Sequence, residues 1–249
     1  MNISVQGAPI YFTIPIFGGI PISATLVITW LIMAIVTGLC LWLTHDMKVS
    51  NVSKRQAVAE FLVETARNFT VGNMGEKFAY FTPFVAALFT LSLLSNLISL
   101  VGLYSPTADL STEAACAVLV FALITYHKIK ANGFGGYLKG FTQPIPVLTP
   151  FNILSEIATP ISMACRHFGN ILSGTVINAL IYGALALASH ALFGLLPGLL
   201  GDVLSQIPFL AVGVPAITSI YFDWFSGAMQ AFIFCMLTTM YIANAAEAD

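Results

Sequence analysis

The sequence predicts an all-α integral membrane protein that forms a single membrane domain over residues 1–249. Of its 249 residues, 58% are hydrophobic and only 8% are charged, and the mean hydropathy is +0.90. About a quarter of the residues are charged in an ordinary soluble domain, so water cannot be the solvent for most of this surface. The chain also contains a series of apolar segments that reach the roughly 20 residues needed to span a bilayer as a helix.

The apolar segments predict about five transmembrane helices. An external N-terminus, three spans and two long helices are expected at residues 1–22, 23–44, 78–103, 112–127, 150–190 and 208–245. As one helix, residues 151–189 would measure roughly 58 Å, against a hydrocarbon core of about 30 Å. Each long segment therefore either breaks or lies steeply tilted. We favour two tilted helices packed as a hairpin, because a break would leave residues 190–202 cytoplasmic without one basic residue.

The basic residues predict the orientation of the chain. Eight of the nine Lys and Arg residues fall within residues 45–77 and 127–139, which share one side of the membrane if the first three spans each cross once. Loops rich in Lys and Arg stay in the cytoplasm, so the N-terminus is predicted outside and the C-terminus inside. Glycine and proline predict loops at "NGFGGYLKG" and "TQPIPVLTP".

Residues 45–77 carry a helical pattern of their own. Their apolar positions recur at three-to-four spacing and are Ala57, Val58, Phe61, Leu62 and Phe69. Charged residues occupy the other side, which predicts an amphipathic helix lying on the cytoplasmic surface of the membrane. An ordinary connecting helix is the alternative, and the two descriptions are compatible.

Arg166, within "SMACRHFGNILSGT", is the strongest functional candidate. An ionisable residue inside a membrane is costly to bury and needs a partner. A guanidinium group effectively never loses its proton, so Arg166 cannot carry protons and acts as a fixed positive charge that attracts a mobile carboxylate. The polar stripe around it has helical spacing and consists of Thr159, Ser162, Arg166, Asn170 and Ser173.

Other polar residues approach Arg166 from both sides of the membrane. Glu113 and Asp223 are expected toward the outer side, and Glu156 and Ser162 toward the inner side. Neither pair continues as a polar line across the membrane on one helix. This pattern indicates two half-paths that meet at a positive charge, rather than one open pore.

The last apolar segment has a polar stripe that includes Asp223 and Gln230. These residues are seven apart, so a regular helix would place them on one face, with Gln230 close to Arg166. The alternatives are an Arg166–Asp223 salt bridge that only joins two helices and a simple interhelical hydrogen bond from Gln230. His167 lies on a different face from Arg166 and is interpreted as a packing residue rather than a proton carrier.

At these residues the chain resembles a known family, subunit a of the membrane sector of bacterial F-type ATP synthase. "PFNILSEIATPISMACRHFGN" is similar to the family pattern P-x-N-x-x-x-E…P-x-S-x-x-x-R-x-F-G-N, and "MQAFIFCMLTTMYIANA" to the ending Q-A-F-I-F-x-x-L-T-x-x-Y. "NLISLVG", "SPTADLST" and "GFGGYLKGF" agree more weakly. The resemblance covers nearly the full length of the chain.

The resemblance implies roles for the matching residues. Arg166 matches the essential arginine that faces the c-subunit ring, and Gln230 matches the glutamine beside it. The remaining matches belong to the helix positions and half-channels around them and are Asn170, Ser162, Glu156, Asn96, Ser99, Thr175 and Asp223.

At some of these positions the residue differs from the one that family members usually carry. Ser99 replaces an acid found in some members, and Thr175 stands where others have Glu or His. Asp223 stands where members carry His, Glu or another ionisable group, so entry of the ion is expected to depend on Glu113 and Asp223. His167 replaces the usual Leu.

The implied function is that of an ion-translocating stator subunit in the bacterial plasma membrane. It would supply two aqueous half-channels and the essential arginine, so that a flow of protons or of sodium ions drives rotation of the c-ring. The implied partners are the c-ring, the stator stalk subunit b, the rest of the synthase and lipid.

Several other activities find no support in the sequence. It contains no GxxxxGK[ST] phosphate loop, no Cys/His spacing for a metal and no basic cluster for nucleic acid. No cofactor, metal or nucleic-acid partner is therefore expected, and ATP chemistry would belong to another subunit. A standalone ion channel or secondary transporter is the alternative, but it would need a continuous pathway or inverted repeats.

Overall fold

The computed structural model describes residues 8–15, 19–50, 52–143, 145–193, 218 and 220–247. Within these residues, five helical segments are long and apolar enough to cross a membrane, which confirms the all-α integral membrane fold. The helices are α1 (Ala24–Thr44), α2 (Lys54–Met74), α3 (Thr82–Leu97), α4 (Leu110–Gly140), α5 (Thr149–Phe193) and α6 (Gly227–Ala246). Short 3-10 turns cover Glu76–Phe81, Ile98–Val101, Pro106–Ala108 and Pro146–Leu148, and a π-helical turn covers Ile220–Ser226.

A small β-hairpin precedes α1, in a region where the sequence indicated no strand. Its strands, β1 (Ile10–Ile14) and β2 (Ile20–Ser23), pair in antiparallel fashion. The alternating Ile, Phe and Thr residues of β1 favour an extended backbone. The amide of Ala24 donates a hydrogen bond to the carbonyl of Pro9 at 2.8 Å, which ties the hairpin to the first turn of α1.

The surface helix predicted within residues 45–77 is α2. Its N-terminus is capped by the Ser53 hydroxyl, which accepts a hydrogen bond from the Gln56 amide at 3.2 Å. Ala59 and Met74 are buried, whereas Phe61 and Leu62, on the predicted apolar face, are more than half exposed. On the predicted apolar face, Phe69 packs against Phe232 of α6 while Phe61 and Leu62 remain exposed, so α2 covers only part of that face within this chain.

α4 corrects the prediction of a loop at "NGFGGYLKG". The predicted span ended at residue 127, but the helix continues to Gly140. Gly133 takes a φ of 70° within it, a conformation open to glycine without steric cost. The chain therefore forms two helical stretches that meet at a kink at Gly133, whereas the loop predicted at "TQPIPVLTP" does separate α4 from α5.

α5 decides between the two alternatives for the first long segment. It is a single helix of 45 residues with Pro160 inside, roughly 67 Å in length, so the segment does not break. α5 and α6 both pack mainly on α4, and their contact with each other is smaller. The part of the second long segment between residues 208 and 217 lies outside the described residues.

The main apolar core joins α4, α5 and α6. Its buried side chains include Val120 on α4, Met163 on α5, and Phe234 and Ile242 on α6. A smaller cluster packs Ile28 of α1 against α3. This core fixes the distances between the helices that carry the polar residues.

Candidate functional site

Arg166 lies on α5 with its side chain exposed on the surface of the chain. Among the described residues, no carboxylate pairs with its guanidinium group and no hydrogen bond engages it. Ser162 and Ser173 share this exposed side of α5, whereas Thr175 is exposed on the opposite side of the helix. A permanent charge on an apolar segment is costly without a partner of opposite charge.

The next residue, His167, faces the interior. Successive residues of a helix differ by about 100° around its axis, and the His167 side chain is 1% exposed. Its Nδ1 atom lies 2.9 Å from Oε2 of Glu113, whose side chain is also buried. The contact lacks the alignment of a hydrogen bond, so it is a close polar contact in this geometry. His167 also packs against the Phe234 ring, so the packing interpretation captured only part of its surroundings.

Asn96 of α3 fixes the tautomer of this histidine. Its side-chain Nδ2 donates to the carbonyl of Gly227 at 2.8 Å, while its Oδ1 accepts from the Thr107 hydroxyl at 2.5 Å. A carbonyl can only accept, so the amide orientation is determined. The same Nδ2 lies 3.4 Å from Nε2 of His167, which makes Nε2 the acceptor. A neutral His167 then carries its proton on Nδ1, facing Glu113.

The 3-10 turn Pro106–Ala108 connects this network to the extramembrane loop before α4. The Ser105 hydroxyl donates to the carbonyl of Ser95 at 2.6 Å and lies 2.7 Å from the Thr107 hydroxyl. We call Asn96, Ser105, Thr107, Glu113 and His167 the outer polar cluster, and this name and that of the inner cavity below follow the orientation predicted from the sequence. All five side chains are buried, and three different helices and one loop hold them in place.

A small cavity lies beside Glu113. Its volume is about 30 Å³, and the residues around it include Thr29, Ser92, Thr107 and Glu113. A cavity of this size has room for a water molecule when polar groups line it. The outer polar cluster therefore has space for water next to its carboxylate.

Asp109 begins α4 at the same end of the protein. Its side chain caps the helix through the Ser111 amide and accepts a hydrogen bond from Thr25 of α1 at 3.0 Å. Burial, together with the nearby charge of Asp109, raises the pKa of Tyr104, a residue outside the spans. Asp109 is a partly exposed carboxylate next to the outer polar cluster.

Glu156 lies near the opposite end of α4. Its Oε2 accepts a hydrogen bond from Nζ of Lys128 at 2.6 Å, while its Oε1 is buried without a hydrogen-bond partner. Both residues line a cavity of about 680 Å³ between α4, α5 and α6, which we call the inner polar cavity. Glu113 and Lys128 are separated by about 22 Å along α4, so the two polar regions are far apart.

The π-helical turn before α6 changes the geometry expected from spacing. A π-helix holds more residues per turn than an α-helix, so seven-residue spacing across it does not return to the same face. The prediction that Asp223 and Gln230 share a face therefore fails at this turn. The Asp223 side chain lies outside the described part, and no hydrogen bond joins Gln230, which is buried, to Arg166.

The connection between α5 and this turn is made by Asn170 instead. Its Nδ2 donates to the Ser226 hydroxyl at 2.8 Å. The hydroxyls of Ser99 and Thr175 bond to carbonyls of their own helical segments. The structure thus places Glu113 and Asn96 in one cluster and Glu156 in a separate region.

The sequence reasoning missed three participants: His167 as the contact of Glu113, Thr107 as the contact of Asn96, and Lys128 as the partner of Glu156. For His167 a signal was present, because it is a second ionisable residue in the same apolar segment as Arg166. Thr107 and Lys128 become neighbours of their partners only through the packing of separate helices and loops.

Known proteins are similar to this chain over most of its length. The family model described as ATP synthase A chain matches residues 26–243. ATP synthase subunit a from Desulforamulus reducens is 33% identical, over 93% of this chain and 83% of the relative. ATP synthase subunit a 1 from Crocosphaera subtropica is 33% identical over 90% and 87%, and ATP synthase subunit a from Legionella pneumophila is 32% identical over 93% and 90%.

Proposed function

The chain belongs to the ATP synthase A chain family, and on this premise we propose that it is the ion-translocating stator subunit of an F-type ATP synthase. It is a multi-pass membrane protein. Its place is the bacterial plasma membrane, with the N-terminus outside and the C-terminus in the cytoplasm. Its partners are the c-subunit ring, the stalk subunit b and the remaining synthase.

The observation that supports this function best is the surroundings of Arg166. The residue is exposed, lacks a partner among the described residues and carries a charge that cannot be removed by deprotonation. The outer polar cluster and the inner polar cavity lie toward opposite ends of the neighbouring α4. A mobile carboxylate of the c-ring, moving past Arg166, completes this arrangement.

In the proposed cycle, an ion enters through the outer polar cluster and neutralises a carboxylate of the rotor. The neutral carboxyl group then crosses the lipid, because a charged group in hydrocarbon is costly. When it returns, it meets the side of Arg166 that faces Ser162 and the inner polar cavity with Glu156. The positive charge favours the ionised carboxylate, so the ion leaves to the cytoplasm.

Arg166 also prevents a leak. A cation that tried to pass directly between the two polar regions would meet a fixed positive charge. Gln230 and Asn170 position the helices on either side of the charge, and Ser99, Thr175 and Asp223 belong to the access paths. The membrane potential supplies about 2.3 kcal/mol per charge per 100 mV, which drives rotation.

The test replaces Arg166 by alanine in the assembled complex and measures ion-driven ATP synthesis in vesicles. Arg166→Ala should abolish coupled synthesis. The control is Arg67→Ala, because Arg67 forms an exposed pair with Glu76 at 3.0 Å and exposed pairs contribute little. Retained coupling in Arg166→Ala would refute the mechanism. High ion conduction by this chain in vesicles without c subunits would favour the channel alternative.

A further inference from the structure

The outer polar cluster contains a residue to which the proposed function gives no role. His167 is nine-tenths or more buried, it contacts Glu113, and its neighbour in the sequence is Arg166. We propose that His167 is a positioning residue that holds Glu113 as the proton-accepting group of the outer half-path. This inference rests on the proposed function and specifies the ion as a proton.

The hydrogen-bond geometry sets the protonation of His167. Asn96 presents a donor to Nε2, and its orientation is fixed by the Gly227 carbonyl and the Thr107 hydroxyl. A proton on Nε2 would face the Asn96 N–H group, so the neutral ring carries its proton on Nδ1. Nδ1, which then carries the proton, lies 2.9 Å from Oε2 of Glu113, so a small rotation of either side chain aligns a hydrogen bond between them.

The same geometry selects a proton over a metal cation. The Glu113 carboxylate faces an N–H group, and a group that presents its hydrogen repels a cation. The described ionisable groups near the pair are Asp109 and Cys116 on α4 and Arg166 on the other side of α5; α3 and α6 contribute Asn96 and Phe234. The two carboxylate oxygens of Asp109 are engaged by Thr25 and by the Ser111 amide, and the described residues contain no group of three or more His, Cys, Asp or Glu side chains that could hold a metal ion.

The proton step balances without any other reactant. A proton from the external aqueous phase, relayed through water in the cavity beside Glu113, adds to the carboxylate and gives the neutral acid, so the relaying water is unchanged. The acid then releases that proton to the next acceptor on the way to Arg166 and returns to the carboxylate held by His167. The histidine keeps its own proton on Nδ1 throughout.

The test uses variants of the assembled complex in vesicles, with passive proton conduction as the readout. Glutamine at position 167 offers one donor and one acceptor, as neutral histidine does, whereas leucine offers neither. His167→Gln should keep conduction within roughly threefold of the native rate, and His167→Leu should lose roughly tenfold or more. Glu113→Gln, which removes the acceptor, should lose about a hundredfold.

His127→Leu is the matched control, because His127 is buried on α4 and its Nδ1 contacts only a carbonyl of its own helix. Conduction by His167→Leu equal to that of the control would overturn the inference, since it would make His167 a packing residue. Equal losses in His167→Gln and His167→Leu would also overturn it, because the histidine itself would then carry the proton. Failure of both variants to assemble would mark a structural role and overturn it too.

Two further measurements separate this inference from the proposed function. ATP synthesis driven by a sodium gradient at equal pH on both sides would overturn the assignment of the proton. If Arg166→Ala loses coupling while His167→Leu behaves as the control, the inference alone fails. If Arg166→Ala retains coupling, the proposed function fails.

Discussion

The close approach of α3 and α6 at Gly227 leads to a quantitative prediction for Gly227→Ala. A Cβ atom added at Gly227 would lie 3.0 Å from Cβ and 3.4 Å from Cγ of Asn96. The Cβ of Asn96 is fixed to the α3 backbone, and its amide is held by Gly227 and Thr107. Relief of the clash therefore requires the two helices to separate by a few tenths of an ångström.

The expected cost follows from three contributions. Overpacking of a fitted contact costs about 1–3 kcal/mol, and weakening the Asn96 hydrogen bond adds about 1 kcal/mol. Alanine gains about 1 kcal/mol over glycine in helix propensity, which leaves a net destabilisation of about 1–3 kcal/mol. The control is Gly38→Ala in α1, where no described atom lies within 4 Å of the added Cβ, so only the gain in propensity is expected.

The assay compares the thermal midpoint of the purified complex for both variants, together with passive proton conduction. Gly227→Ala should lower the midpoint by roughly 2–12 °C and reduce conduction, because the shift of Asn96 releases His167. Gly38→Ala should leave conduction at the native rate. Equal midpoints and equal conduction for the two variants would refute the argument that this contact organises the outer polar cluster.

Two further predictions concern the inner polar cavity and the partner face of α5. Lys128→Met should destabilise the protein by about 1–2 kcal/mol, because both carboxylate oxygens of Glu156 then lack hydrogen-bond partners. The control is Lys130→Met, at an exposed position on the same helix. Equal thermal midpoints for the two variants would contradict the prediction. Cys165 is exposed beside Arg166, and Cys40 is exposed on α1. In detergent, maleimide labelling of Cys165 should be slower in the assembled complex than in the isolated chain. The control, Cys40, should react at the same rate in both samples. Equal labelling rates of Cys165 in the two samples would place the c-ring on another face of the chain.

The features that could be predicted from the sequence are those that depend only on the residue types within one short segment. Apolar length located the membrane segments, and a charge that cannot be neutralised identified Arg166. The N-terminal hairpin was missed because two short strands are a weak signal beside strong apolar spans. The loop predicted after residue 127 was wrong because glycine allows a bend within a helix as readily as an end, and only packing decides between them.

The outer polar cluster depends on contacts between distant parts of the chain, which the order of residues alone does not reveal. Asn96, Thr107 and His167 come from different parts of the chain, and the turn at Pro106–Ala108 brings the hydroxyl of Thr107 to the amide. Glu113 was identified by its position at the outer end of a span. Its contact with His167 depends on the rotation of α5 about its axis, which spacing alone does not determine.

The π-helical turn at Ile220–Ser226 has a consequence for how this chain changes during evolution. Such a turn holds one residue more than the α-helical ladder needs, so insertion or deletion of a single residue there rotates the side chains on one side of it by about 100°. α6 remains anchored by Phe234 and Ile242 in the core. Sequence drift can therefore redirect the residues before Gly227, including position 223, without disturbing the packed half of the segment.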